Sequence, residues 1–392
     1  MKLGIFFTIG SGFKDQKKSG QDKRFIEYYL KRYNENFKKV YVFSYLKEKQ
    51  RLPKNCYLID NKYHLNRFIY AFFIPLLNFK KIKGIDVFRV MQLTGVVPAL
   101  IVKLLFNKPF VFTYGFNYEQ IAKIQGQKIR PLLIKILEKL ALKFCSAVII
   151  TNKQNEQYLI KKYSQINLNY IPNGVNIDQF KPSSSIIPAL PCLAGRQAAG
   201  RQQSRLRQGF GGQASTRILF VGRLEKEKNL FNLVKAVALL SPRYQIQLIF
   251  IGRGTLKNQL QSVAKEFRVK LKIIDKVPHY LLPKYYQEAD IFCLVSFSEG
   301  AVKTLLEAMS CGLPCLVSRY PGAEEFIDKK EILLTDFDAK KIADNLEILI
   351  KNNQLKKILG QNARKKIVEN YDITTLLKKE SDLLKQIANL KK

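Results

Sequence analysis

Short apolar runs alternate with helix-length amphipathic segments along almost the whole chain. Residues 3–9, 39–45, 56–59, 87–90, 110–114, 147–151 and 169–171 read as the strands of a first sheet. Several are near-continuous Val/Ile/Phe/Tyr runs, which indicates burial on both faces, as in a parallel sheet covered by helices. A second series follows at 218–221, 247–251, 272–274, 291–295, 315–318 and 332–334, with helical segments between, such as 230–240 and 255–267. Three helical segments without an intervening strand, 339–351, 354–370 and 374–390, end the chain. Two alternating series of this kind predict an α/β protein made of two doubly wound, Rossmann-like domains.

The pattern breaks between the halves. Residues 183–216 contain no Lys, although the chain holds 50, and Arg196, Arg201, Arg205 and Arg207 stand there among Gln, Gly and Ala. Too few periodic apolar residues remain to build a packed element, so this stretch reads as a disordered insert or linker. The predicted division is therefore 1–170 for the first domain, joined by the final helix 374–392, and 217–372 for the second. The longest apolar stretch, 87–106, carries Arg89 and Lys103 and reads as a buried strand and helix rather than a membrane span. No signal peptide precedes the first strand, because 3–9 is short and runs straight into a polar loop.

Charge adds a possible partner to this picture. The chain carries a formal +36, and residues 1–170 hold 31 basic against 10 acidic residues, or +21, leaving +15 for the rest. A lysine-heavy composition explains part of this. The remainder fits an anionic membrane surface or an anionic acceptor, and least well nucleic acid, because no basic stretch is interleaved with aromatics at a module spacing. Six Cys and two His give no metal-ligand spacing, so the thiols read as reduced core residues of a cytoplasmic protein and no metal is expected.

The chemistry concentrates in residues 290–314. An apolar strand ends in Ser296 to Gly300 and a helix follows, with Glu299 in the turn and Glu307 about two turns along. Glu307 stands among Leu305, Leu306, Ala308 and Met309, where an unpaired carboxylate is costly, so a ligand hydroxyl or a cation is its expected partner. Strand 218–221 leads into Gly222, Arg223 and Lys228 at a helix start. The glycine admits close approach, and two cations add to the positive end of the helix, a pattern suited to a diphosphate. Gly252 lies in a Gly-Arg-Gly turn after strand 247–251. Gly10 and Gly12 follow the first strand, where backbone amides could face a ligand. His279 and His64 read as structural or solvated loop residues.

These features fall in the order expected of the family 4 retaining glycosyltransferases, which the chain resembles. The match runs through residues 170–182, Phe220-Val-Gly-Arg-Leu, Lys228, Ile251-Gly-Arg-Gly, Val277-Pro278, Tyr286 and 289–314. The resemblance implies the GT-B fold, two Rossmann-like domains facing a cleft with the last helix crossing back to the first domain. It implies that Arg223 and Lys228 hold the diphosphate of a nucleotide sugar, that Glu307 grips the ribose hydroxyls and that Glu299 contacts the donor sugar. Backbone at Gly300, Ala301, Val302 and Lys303 would line sugar and phosphates, with Gly222, Gly252 and Val277 beside the nucleotide and the Gly10–Gly12 loop approaching from the other domain. Family members need no metal. The implied reaction moves a sugar to a glycan or lipid-linked acceptor, in cell-envelope polysaccharide synthesis at the inner face of the membrane. Thr113-Tyr114-Gly115-Phe116 stands where many relatives have a histidine, and Ala301-Val302 replaces their usual bulky pair. A nucleotide-sugar epimerase, or a non-catalytic basic protein that binds anionic lipid or nucleic acid, would be the competing reading.

Overall fold

The apolar runs become parallel strands of two separate sheets. The computed structural model describes residues 1–116, 130–163, 165–183, 215–299 and 302–390. The chain divides into an N-terminal unit, 1–173 with 373–392, and a C-terminal unit, 174–372.

In the N-terminal unit the strands are β1 (Lys2–Phe6), β2 (Lys39–Phe43), β3 (Cys56–Ile59), β4 (Val87–Val90), β5 (Phe110–Tyr114), β6 (Ala147–Ile150) and β7 (Leu168–Tyr170). They lie in the order β3-β2-β1-β4-β5-β6-β7, every neighbour parallel. Every residue of β4, β5 and β6 is buried, as their largely apolar runs require, Arg89 and Thr113 included. The chain moves outward from β1 to β3, then crosses back to β4 and continues to β7. Right-handed crossovers place the helices of these two series on opposite faces. Helix α1 (Phe13–Ser19) follows β1. Helices α2 (Arg67–Leu77), α3 (Val96–Phe106) and α4 (Arg130–Phe144) belong to the second series, and α3 packs against both α2 and α4.

The C-terminal unit repeats the topology. Strands β8 (Thr216–Val221), β9 (Ile246–Ile251), β10 (Leu271–Ile274), β11 (Ile291–Leu294), β12 (Cys315–Ser318) and β13 (Leu333–Thr335) form a parallel sheet of order β10-β9-β8-β11-β12-β13. Helices α5 (Leu230–Leu240), α6 (Leu282–Glu288), α7 (Lys303–Ser310) and α8 (Asn353–Asn370) matter most for the site. Residues 174–182 belong to this unit. Val175 bridges to Asp372, and Arg364 on α8 donates to the carbonyls of Ile177 at 3.0 Å and Phe180 at 2.9 Å.

The final helix, α9 (Ile373–Asn389), returns to the N-terminal unit and packs on the helix Lys31–Asn36 and on β4. Its Glu380 is buried and accepts from Arg89 Nε and the Tyr33 hydroxyl. Arg89, the charge inside an apolar strand, is thus paired rather than stranded, and truncating either partner would cost about 3–5 kcal/mol. The thiols of Cys56, Cys145, Cys293, Cys311 and Cys315 are free, and burial pushes those of Cys56 and Cys145 up to about 12. Nearly all of the Lys-free stretch, Cys192 included, lies outside the described residues. Among the described residues, no helix is long and apolar enough to cross a membrane.

Candidate functional site

In the C-terminal sheet the crossovers run one way from β8 to β9 and the other way from β11 to β12. The carboxyl ends of β8 and β11 therefore flank the topological switch point, where the diverging loops leave a crevice in an open α/β sheet. The two loops that emerge there carry Gly222–Asn229 and Ser296–Glu299. They are tied side by side, the Phe297 amide donating to the Glu227 carbonyl at 2.8 Å.

Lys228 and Glu299 meet across this junction. Lys228 Nζ donates to Glu299 Oε1 at 2.7 Å, and the Ser296 hydroxyl donates to the same oxygen at 2.6 Å. Their side chains are only 12% and 8% exposed, so the ammonium is held in one place instead of sampling solvent. A half-buried cation at a strand mouth is a preorganised site for a second anion, since its charge-assisted bonds are the strong ones.

Arg223 does not join this pair. Its side chain is 73% exposed, and Nη2 donates to Glu227 Oε1 at 2.7 Å, four residues along. Without a ligand, Arg223 and Lys228 each face a carboxylate of their own. The glycines nearby have a main-chain role. A Cβ on Gly252, where φ is +150°, would lie 1.8 Å from the Gly222 carbonyl oxygen, so any side chain there collides with backbone. The β8 and β9 loops are laced at that contact, with the Gly222 amide on the Ile251 carbonyl and the Leu224 amide on the Arg253 carbonyl.

Helix α7 begins at Lys303, so Glu307 lies little more than one turn along rather than two. Its carboxylate is buried, and within the unit its side-chain partners are an imidazole and a phenol. His279 Nε2 lies 2.9 Å from Oε1, and the Tyr286 hydroxyl donates to Oε2 at 3.0 Å. Burial, and then the Glu307 charge, hold the Tyr286 phenol well above its ordinary pKa. Phe180 closes the cluster, its ring centroid 5.1 Å from that of His279 and 5.9 Å from that of Tyr286. The sequence reading set His279 aside. Its signal was the proximity of Pro278-His279 to Tyr286 along one loop and helix, which places both on the same side of α7.

Of the remaining positions, Val302 precedes the first residue of α7, Lys303, and Val277 packs against the core. Gly300 and Ala301 lie outside the described residues. In the N-terminal unit the amides after Gly12 are already filled. Phe13 N and Lys14 N donate to the two oxygens of Glu48, each at 2.8 Å, and the Ser44 hydroxyl donates to the same carboxylate. A Cβ on Gly12 would meet Glu48 Oε1 at 2.5 Å. Gly12 is glycine to admit an internal cap, which corrects its assignment to ligand binding, while Gly10 takes a left-handed turn beneath Phe68.

Residues 207–366 match the family Glycosyl transferases group 1. The chain is 25% identical over 303 residues to the UDP-Gal:alpha-D-GlcNAc-diphosphoundecaprenol alpha-1,3-galactosyltransferase of Escherichia coli, covering 74% of this chain and 72% of the relative. Other curated relatives match over about half of their own length, 46% and 48% in two cases. Among solved structures, sucrose-phosphate synthase from Thermosynechococcus elongatus superimposes with a TM-score of 0.76 at 18% identity, over 99% of both chains. Anabaena Alr3699/HepE, solved in complex with UDP, gives 0.71 at 17% identity, over 98% of this chain and 100% of that one. These neighbours share the fold, two parallel α/β units of GT-B type. The family match covers the C-terminal unit, and relatives such as the galactosyltransferase are similar over a longer stretch of the chain.

Proposed function

We propose that this chain moves a sugar from a nucleotide-sugar donor to an acceptor hydroxyl with retention of anomeric configuration, as a family 4 enzyme. The observation that carries the reading is the part-buried Lys228–Glu299 pair at the β8/β11 switch point. In the reaction the bond between the anomeric carbon and the donor phosphate breaks as negative charge builds on the leaving diphosphate. Lys228, fixed in advance, stabilises that charge without reorganising. Glu299, shared between Lys228 and Ser296, faces the same crevice and orients the donor sugar. The acceptor oxygen bonds to the anomeric carbon on the same face, and its proton passes to the departing phosphate. Glu307, aligned by His279 and Tyr286, takes the ribose hydroxyls. No step calls for a metal.

The donor class follows from two neighbours, one named for UDP-Gal and one solved with UDP, so a UDP-sugar is the first to test. The acceptor class follows from the same relative, which acts on a diphosphoundecaprenol-linked sugar, and from the +21 of residues 1–170, which suits a phosphate-bearing acceptor. Thermal melting and nucleotide release measured across a panel of nucleotide sugars test this directly. One donor class raises the melting temperature, and Lys228→Ala and Glu307→Ala each abolish the rise. A ligand at a hundred times its Kd adds about 2.7 kcal/mol, well within detection. If no nucleotide or nucleotide sugar stabilises the chain at millimolar concentration, the reading fails.

A further inference from the structure

We infer that one face of the N-terminal unit docks on a bilayer that carries anionic lipids. The face is built on α2, which is apolar all round. Tyr70, Ala71, Ile74 and Pro75 are buried, while Phe68, Ile69, Phe72, Phe73 and Leu76 are exposed. That alternation is one helical stripe in and one stripe out. An ordinary surface helix covers its outer stripe with polar residues; α2 offers only Arg67, at its first position. Phe72 is 54% exposed and Ile69 53%. The stripe does not end with α2. On α3, Leu104 and Leu105 are exposed, and on α4, Leu132, Leu133 and Ile136 are exposed as well. Helix α3 packs against both α2 and α4, so the three helices that carry these exposed apolar residues are neighbours on one side of the sheet, the clustering expected of an interaction site.

Charge identifies the occupant. Residues 61–108 contain a single acid, Asp86, which accepts from the Lys2 amide at 2.7 Å. Residues 130–146 contain only Glu138, which is buried and takes the Tyr114, Tyr163 and Lys162 side chains. Against these, Lys80, Lys81 and Lys83 are exposed just beyond α2, and Lys135, Lys139 and Lys143 are exposed on α4. An apolar centre rimmed by lysines, with Asp15 at its edge paired to Arg67 at 3.7 Å, matches the acyl boundary and phosphate layer of an anionic bilayer. A second copy of this chain would bring like charges together. The helix of α2, at 11 residues, is too short to cross and would lie in the interface.

The face adjoins the strand mouth of its own unit. Phe68 lies over Gly10 in the loop after β1, where a Cβ would stand 2.9 Å from its ring, and Arg67 donates to the Gly10 carbonyl at 3.4 Å. A lipid-borne group would therefore arrive beside the carboxyl ends of β1 and β4. The inference stands on the N-terminal unit alone and holds whichever donor the C-terminal unit takes.

Vesicle flotation of the full chain tests it, with phosphatidylcholine vesicles and with the same vesicles containing phosphatidylglycerol. The chain floats with the anionic vesicles and releases at high salt. Phe72→Ser with Phe73→Ser lowers the partition coefficient about tenfold or more. Lys80→Gln with Lys81→Gln and Lys83→Gln lowers it on the order of a hundredfold at low salt. Leu239→Ser, an exposed apolar position in the C-terminal unit, changes nothing. Failure to float with anionic vesicles overturns the inference, as does an unchanged partition in both variants. So does a lipid-free dimer in sedimentation that the Phe72/Phe73 substitution dissolves, which would make a second copy the occupant. Donor-induced stabilisation, measured without lipid, is independent of every one of these outcomes.

Discussion

The two units share a topology and differ in what fills the switch point. In the N-terminal unit, the helix that follows β1 has its first amides capped from within by Glu48, with Gly12 cleared to admit that carboxylate. In the C-terminal unit, the corresponding junction holds a cation and a carboxylate, Lys228 and Glu299, bonded to each other and close to solvent. One mouth has spent its anion-binding amides on its own structure, while the other keeps an ammonium poised for a ligand. The same sheet order therefore carries an internally capped helix start in one half and a cation–carboxylate pair in the other.

Removing the poised cation should have the largest effect. Lys228→Ala leaves the part-buried Glu299 with Ser296 alone and, on the proposed reading, removes the cation that would meet the diphosphate; kcat/KM falls on the order of a hundredfold or more, and stability drops by about 1–2 kcal/mol. Steady-state kinetics and denaturant unfolding measure the two losses separately. Glu48→Ala inverts the pattern. It unpairs Phe13 N, Lys14 N and the Ser44 hydroxyl, so unfolding in urea shows a loss of about 2–3 kcal/mol, while nucleotide affinity stays unchanged.

His279→Ala should fall between structure and function. Glu307 loses one of two partners, and donor affinity by calorimetry weakens about tenfold, with a stability loss of about 1–2 kcal/mol. Tyr286→Phe sharpens this through pH. Because the Tyr286 phenol has a raised pKa, its contribution is complete below the unfolded value of about 10 and fades as pH rises beyond it. The stability gap between the wild type and Tyr286→Phe therefore narrows in melts taken above that pH. Arg223→Gln should be the mildest. The exposed pair with Glu227 is the kind whose loss changes stability by less than about 1 kcal/mol. A large loss of donor affinity in that variant would return Arg223 to the site.

The strand series was legible because β6 and β11 are uninterrupted apolar runs and β4 and β5 nearly so, all buried throughout. Glu299 and Glu307 were legible as out-of-place acids in an apolar segment. Their partners were not. Lys228 lies 71 residues from Glu299, His279 lies 28 from Glu307, and Arg89 reaches Glu380 across 291 residues. Pairings of that span are set by sheet order and crossover, which a local pattern does not encode. The Gly10–Gly12 loop misled for the same reason, since the carboxylate that fills it comes from Glu48.

Calorimetric titration of UDP into matched neutral variants of the two mouths tests the central claim most directly. The account predicts that Lys228→Met weakens UDP at least about tenfold, the scale of one lost charge-assisted contact, and that Lys14→Met, beside the capped amides of the N-terminal unit, leaves the affinity unchanged. Equal losses, or a loss confined to Lys14→Met, would contradict it.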